Sequence, residues 1–457
     1  MTGKHSPSNG GNSSSTNMNV TFAKDEKNSL TPYEKLLYES QNDLRFKGEE
    51  KTGRRIGFYR ILKDIGLGNF SRVKLGQHLL AKEKVAIKIL DKTKLDNSTQ
   101  RLLLREITST EKLHHPNIIR LYEVIETIKE IYIVVEYASG GDLYSRITEH
   151  GKMAEDEAKI IFAQITAAVD HMHSKNIVHR DIKSENVFFA KEHLIKLGDL
   201  GFSTYTEKNQ TLTTFCGSPP YAAPELYRDE NYIGIYVDIW ALGITLYFMI
   251  TGLMPFRGEN LVKLKKSIID GNFSIPPYVS DQCQDLICGL LSYEKLERWS
   301  IEKIRSCPWL SRENFPEEFQ PFALNLSYDW IPLSKTKTQS SISARTSFEY
   351  ETHSKLEELG ITSDILKLIR PKDSDEKYLS NRDSINGTYR IILHRVQKQS
   401  NSLERDLVYD RGISEDVSAP RGRSMSVNIE TKPRKNKQNI NNSFHTHSER
   451  TKMCIIL

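Results

Sequence analysis

A change of hydrophobic period near residue 140 limits what this 457-residue chain can fold into more than any other feature. From Tyr59 the apolar residues come in short β-branched runs, Val85–Ile89 and Ile131–Tyr137 among them, parted by turn signals. After Gly140 and Gly141 the period lengthens. Ala158, Ile161, Ile165, Ala168, Val169 and Met172 fall along one helix face, and helical spacing continues to about Leu310. A helix-period pattern will not settle as strand, nor the reverse, so the spacing predicts an α+β fold: a small strand-rich unit followed by a larger helical one. One stretch, Ile239 to Met254, is apolar enough to suggest a membrane span. It is shorter than the roughly 18 residues a span needs and is bounded by Asp238 and Pro255, so it reads as a buried core helix.

The flanks read differently. Hydrophobic residues at 38 % and charged residues at 27 % describe a globular unit diluted by polar segments. Residues 1–58 read as a polar, basic, disordered extension, Ser/Asn/Gly-rich over about the first 30, and 311–346 as a linker. Residues 347–397 regain apolar periodicity, and 398–457 form a basic tail expected to be disordered. From Arg421 onward eight Lys and Arg stand against two Glu, so the net charge of +5 belongs to that tail. Without interleaved aromatics or a groove-reading motif it reads as solvated or drawn to an anionic membrane, and nucleic acid is not expected as a partner. Five scattered cysteines without a metal-type pair read as reduced thiols. The N-terminus has no apolar core, and Thr2 stands where myristoylation needs glycine, so a cytoplasmic location is expected.

Chemistry enters with a series of short segments. Gly66-Leu67-Gly68-Asn69-Phe70-Ser71-Arg72-Val73 lies between β-type sequences, where small residues permit a tight turn whose N–H groups can cover phosphates. Alone it reads equally as a glycine hairpin, since Ser71 stands in place of a third glycine. Lys88, in Val85-Ala86-Ile87-Lys88, is a cation on a buried-type strand and needs anionic partners: phosphates together with Glu106, or Glu106 alone as a structural pair. His179-Arg180-Asp181-Ile182-Lys183-Ser184-Glu185-Asn186 reads as a catalytic loop. Asp181 is placed to orient an acceptor hydroxyl and take its proton, Lys183 to neutralise a moving phosphoryl group, and Asn186 to offer an oxygen to Mg²⁺. Lys183 also argues for Ser/Thr over Tyr as acceptor. Asp199, in Asp199-Leu200-Gly201, adds the carboxylate a hard cation requires. Ala223-Pro224-Glu225 and Asp238-Ile239-Trp240 follow in order.

Taken in order, these segments resemble the eukaryotic protein kinase domain over about residues 59–310. More narrowly, Leu212 through Glu225 resembles the AMP-activated-kinase-related branch of the calmodulin-kinase group, most nearly its "new inducer of mitosis" type. The resemblance implies a two-lobed kinase fold, with a small β-rich lobe, a large helical lobe and ATP at a hinge near Val135-Glu136-Tyr137. It implies nucleotide-side contacts from Ile65, Gly66, Gly68, Val73, Lys88, Glu106, Glu136, Asp142, Asn186 and Asp199. Asn186 and Asp199 would hold Mg²⁺, for which Mn²⁺ can substitute, and Asp181, Lys183 and Lys88 would be catalytic. Thr214 is marked as an activation-loop phosphosite served by an upstream kinase, with Arg180 to receive the phosphate; a plain loop hydroxyl is the bland alternative. Glu225 and Arg298 are implied as a buried ion pair. Asp142 and Glu185 stand where relatives meet basic residues of a peptide, so a basic preference upstream of the acceptor is expected.

Three positions depart from the kinase pattern: Ser71, Leu200 for the usual Phe, and Thr110, one turn after Glu106, where an apolar residue is usual. A hydroxyl there is expected to loosen the active arrangement of its helix. Leu356 to Leu366 reads as a helix closed by Gly360 and a second that Pro371 ends, with a third over Tyr389–Val396. Three such helices resemble the ubiquitin-associated-like module that follows the catalytic domain in AMP-activated-kinase relatives, and a regulatory role is expected for it. Cys454-Ile455-Ile456-Leu457 fits the prenylation rule, and with the basic tail it would make the membrane a second location. The rival to an active protein kinase is a silent scaffold of the same fold, which would commonly lack Lys88, Asp181 or Asp199.

Overall fold

The computed structural model describes residues 30–67, 71–207, 209–319, 344–362, 364–365 and 384–410. Gly68 and Cys454 lie outside them.

Folding begins earlier than expected. Helix α1, Pro32–Asn42, opens on a capping box: Thr31 accepts from the Glu34 N–H, and the Glu34 carboxylate accepts from the Thr31 N–H at 2.9 Å. Asp43 caps α2, Leu44–Lys51. Residues 30–58 are therefore not a disordered extension. Their mean apolar content is low, but Tyr33, Leu36, Phe46 and Phe58 are buried, and four anchors suffice once another surface receives them.

The small lobe is one antiparallel sheet. Its strands are β1 Arg55–Ile56, β2 Tyr59–Leu67, β3 Ser71–His78, β4 Lys84–Asp91, β5 Leu121–Glu126 and β6 Glu130–Glu136, in the order β1-β2-β3-β4-β6-β5. Helix α3, Asn97–Lys112, crosses between β4 and β5. Central β4 is buried at Val85, Ala86, Ile87, Ile89 and Leu90, which is why it reads as an apolar run rather than an alternation.

The large lobe carries helices α4 Leu143–His150 and α5 Glu155–Ser174, then short strands β7 Ile177–Val178, β8 Val187–Lys191, β9 Leu194–Leu197 and β10 Thr204–Tyr205. Helices α6 Pro224–Arg228, α7 Gly234–Thr251, α8 Leu261–Asp270, α9 Asp281–Leu290 and α10 Ile301–Arg305 complete it. Helix α7 is long and apolar enough to cross a membrane, yet it is buried against α5 and α9, as Asp238 and Pro255 at the ends of the apolar stretch suggested.

After the large lobe the chain returns to the small one. Helix α11, Ala344–Glu358, packs on α12, Ser384–Asp410, and α12 lies along β5. Tyr33, Leu36, Tyr59, Tyr122, Leu356, Ile361, Tyr389 and Ile392 belong to one apolar cluster, and the Tyr33 N–H donates to Leu359 O at 2.9 Å. The expected helix stop at Gly360 is present, with φ 87°. Asp364 and Ile365 are helical, while the stretch to Pro371 lies outside the described residues. The expected third helix is the middle of α12, which runs 27 residues and takes residues 398–410, expected as part of a disordered tail, into the helix. A Cβ on Gly387 would collide with the Glu123 carboxylate and the Tyr59 hydroxyl, so glycine lets α12 meet the sheet this closely.

Candidate active site

The cleft between the lobes is built from both sides. In the β2–β3 register Gly66 pairs with Val73, and in β3–β4 Val73 pairs with Lys88, so the glycine turn sits one strand above the lysine. Ile65 is exposed on β2. Across from Lys88, α3 brings Glu106, whose Oε1 is 3.1 Å from the ammonium, and Asp199 Oδ1 lies 3.9 Å from the same nitrogen. Burial would lower the Lys88 pKa, but the two carboxylates more than offset it and hold the ammonium above its ordinary range. Burial, joined by Asp199, holds the Glu106 carboxyl above its usual range even though Lys88, 3.1 Å away, pulls it down.

Asp238 holds the loop that bears Asp181. It sits fully buried on α7 and accepts from the His179 N–H at 2.9 Å, the Arg180 N–H at 2.8 Å and the His173 ring at 2.8 Å. Burial would raise the Asp238 carboxyl, but these donors hold it below its usual range. Arg180 thereby adopts φ 66°, a left-handed conformation uncommon for a residue with a Cβ, and Asp199 adopts φ 56°. His179 joins the two, accepting from the Asp181 N–H at Nδ1 (3.3 Å) and donating from Nε2 to Gly198 O (3.2 Å).

Asp181 itself is buried, with one face fixed. Its Oδ1 accepts from the Ser218 N–H at 2.8 Å, and its Oδ2 accepts from Lys183 Nζ at 2.7 Å; Lys183 also reaches Ser218 Oγ at 2.9 Å. Asn186 donates from Nδ2 to Asp181 O (2.9 Å) and Oδ2 (3.3 Å), which leaves its amide oxygen as an acceptor. That oxygen and the partly exposed Asp199 carboxylate are the hard donors Mg²⁺ takes beside phosphate and water, so these residues fit a metal–nucleotide.

The remaining expected residues are placed as follows. The Asp142 carboxylate caps α4, accepting from the Ser145 N–H and hydroxyl, both at 2.8 Å. Glu136 ends β6 with its side chain buried against Lys196 at 3.0 Å rather than free in the cleft. Thr214 is exposed, and its carbonyl accepts from Tyr232 OH at 2.7 Å. Arg180 donates to Phe202 O at 2.7 Å and to the same tyrosine hydroxyl at 3.3 Å. Glu185 is exposed beside Tyr221. Glu225 and Arg298 form a fully buried two-pronged pair at 2.7 and 2.8 Å. The Thr110 hydroxyl is not left unpaired: it donates to Glu106 O one turn back at 2.6 Å. Sequence reasoning missed Asp238 as the anchor, and missed Tyr232, Ser218 and Lys196. Each acts across 35 or more positions, and no local pattern encodes that.

Residues 59–310 match the protein kinase domain. Over 265 residues, 58 % of this chain, the sequence is 45 % identical to "Serine/threonine-protein kinase SIK3 homolog" of Danio rerio, of which it covers 22 %. Over 259 residues, 57 % of the chain, it is 42 % identical to "Serine/threonine-protein kinase SIK2" of Gallus gallus, of which it covers 32 %. The chain thus spans no more than about a third of the length of these relatives. The domain match alone takes in more than half of the chain, which belongs to the protein kinase domain family.

Proposed function

We propose that this protein transfers the γ-phosphoryl group of ATP to Ser or Thr hydroxyls of protein substrates. One observation carries the reading: Asp181 is buried and pinned on Oδ1 by the Ser218 N–H while Lys183 bridges it to Ser218, on the same side of a cleft that closes with the Lys88–Glu106 pair. Asp181 orients the acceptor hydroxyl and takes its proton as the oxygen attacks. Lys183 offers positive charge where the phosphoryl group passes, and Lys88 offers it to the phosphates that stay behind. Asp199 and Asn186 would hold Mg²⁺, which would supply positive charge to the phosphates. A silent scaffold is disfavoured because Lys88, Asp181, Asn186 and Asp199 are all retained.

Finer features belong to the same proposal. Phosphorylation of Thr214 by an upstream kinase would add nearly two charges beside a contact chain, Thr214–Tyr232–Arg180, that already ends on a guanidinium. The basic preference upstream of the acceptor rests on Glu185, because Asp142 is committed to its cap. The AMP-activated-kinase-related assignment, and the nearer likeness to the "new inducer of mitosis" type, rest on the activation segment; the ubiquitin-associated-like reading rests on α11 and α12 packing on the small lobe.

The test is phosphate transfer from Mg·ATP to matched basic peptides bearing Ser or Tyr. Transfer to Ser alone is expected, with Asp181→Asn lowering the rate by about 10²–10⁴-fold. After treatment with an upstream kinase, Thr214→Ala should stay at the low rate of phosphatase-treated wild type, whereas treated wild type rises above it. Absence of transfer from Thr214-phosphorylated protein would favour the scaffold.

A further inference from the structure

The hinge carboxylate is shared with a helix beyond the matched domain. Glu136 closes β6, is 5 % exposed, and spends its backbone N–H on Arg120 O at 2.8 Å. Its side chain is held from two directions. Lys196 of β9, only 1 % exposed, places Nζ 3.0 Å from Oε2, and Lys398 of α12 places Nζ 3.5 Å from Oε1. Strand β9 leads directly into Gly198 and Asp199, so Lys196 ties the hinge to the metal-side aspartate, while Lys398 ties it to the back of the small lobe. His394 Nε2 also faces Oε2, at 3.8 Å, and burial followed by the nearby Lys196 and Lys398 keeps that ring neutral.

The charges around Lys398 set what its loss would do. Glu83 lies 3.8 Å from Lys398 and is bound by Arg395 at 2.7 Å. Without Lys398, two balanced pairs remain, Glu136 with Lys196 and Glu83 with Arg395, so no carboxylate is stranded and the fold survives. The hinge carboxylate would then hang on one lysine, mounted on the opposite lobe. A backbone that must be ordered at the moment of binding costs affinity, whereas one fixed beforehand does not.

We propose that Lys398 is a positioning residue for the nucleotide: by holding Glu136 from α12 it fixes the hinge backbone at which the adenine of ATP binds. The inference rests on the ATP reading above. Mg·ADP affinity is measured by calorimetry on the full chain, alongside KM for ATP, KM for a Ser peptide and the melting temperature, for wild type, Lys398→Gln, Lys398→Arg and Leu356→Ala. Lys398→Gln should weaken Mg·ADP and raise KM for ATP by about fivefold, with peptide KM and melting little changed. Lys398→Arg, which keeps the charge, should stay within about twofold of wild type. Leu356→Ala, which loosens the α11–α12 packing without touching Glu136, Glu83 or Lys398, should lower the melting temperature and leave the nucleotide affinity alone. Unchanged affinity in Lys398→Gln, no rescue by arginine, or an equal loss in Leu356→Ala would each overturn the proposal. A wild-type chain that binds no Mg·ADP would remove the ATP reading and this inference with it.

Discussion

Arg180 and Asp199 occupy left-handed backbone at the centre of the cleft, a conformation that costs on the order of 1–3 kcal/mol for such residues. The Asp238 carboxylate compensates at Arg180, since it is the acceptor that both neighbouring N–H groups require. In Asp238→Asn one of those acceptor positions becomes a donor and the charge is lost. The expected outcome is a loss of about 3 kcal/mol in denaturant unfolding and a fall in kcat of ten-fold or more, with the KM for ATP less affected. Because the Asp238 pKa is depressed in the folded state, its contribution is full above the ordinary carboxylate range and is lost as pH falls through the lower folded value. The residues named by short motifs, Lys88, Asp181, Asn186 and Asp199, were legible because each motif states residue type and spacing together. Asp238 was present in the sequence as the residue bounding an apolar stretch; its role exists only once α7 is folded against the loop.

Helices α3 and α12 show what was and was not legible in the elements. The helical period of α3 places Glu106 and Thr110 on successive turns, but not the bond from the Thr110 hydroxyl to Glu106 O. Since that hydroxyl is satisfied, any loosening of α3 comes from the lack of the apolar contact that a larger residue would make. Thr110→Leu should raise the basal rate of the unphosphorylated protein about two- to fivefold, read as peptide phosphorylation in phosphate-matched samples. Helix α12 was half seen: Tyr389–Val396 carries the apolar period, whereas the contacts that dock it are polar. Arg390 reaches Glu111 on α3 at 3.0 Å, Tyr122 OH meets His394 Nδ1 at 2.8 Å, and Thr388 meets His78 at 3.2 Å. Polar partners more than 250 positions apart leave no local trace. Gly387→Ala should force α12 off β5, destabilising the protein by about 1–3 kcal/mol in thermal melts, and hydrogen exchange should rise first in β5 and α12.

Over the whole molecule, several buried histidines are kept neutral. Burial lowers His78 to about 3, where its Nδ1 accepts from the Ala81 N–H at 2.9 Å and its Nε2 faces Thr388; burial and Arg120 lower His114 to about 3, and burial lowers His171 to about 4. In the unfolded chain these rings would take up protons below pH of about 6.5, so stability falls from there as the solution is acidified. His78 alone accounts for about 2 kcal/mol between neutral pH and pH 5, and His78→Gln should flatten the corresponding part of the melting-temperature profile. A strand-rich unit followed by a helical one was legible from hydrophobic period alone, and the two-lobed plan from the resemblance. What was not is that both flanks of the domain finish the small lobe, because α1 and α12 are marginal alone and become stable only on a shared surface. That sharing has a practical side for anyone who would handle the enzyme in pieces. A protein trimmed to the matched residues 59–310 would bare the faces of Tyr59, Tyr122 and Val134 to water and to one another's copies. Its first symptom would be self-association during purification, before any defect in phosphate transfer could be measured.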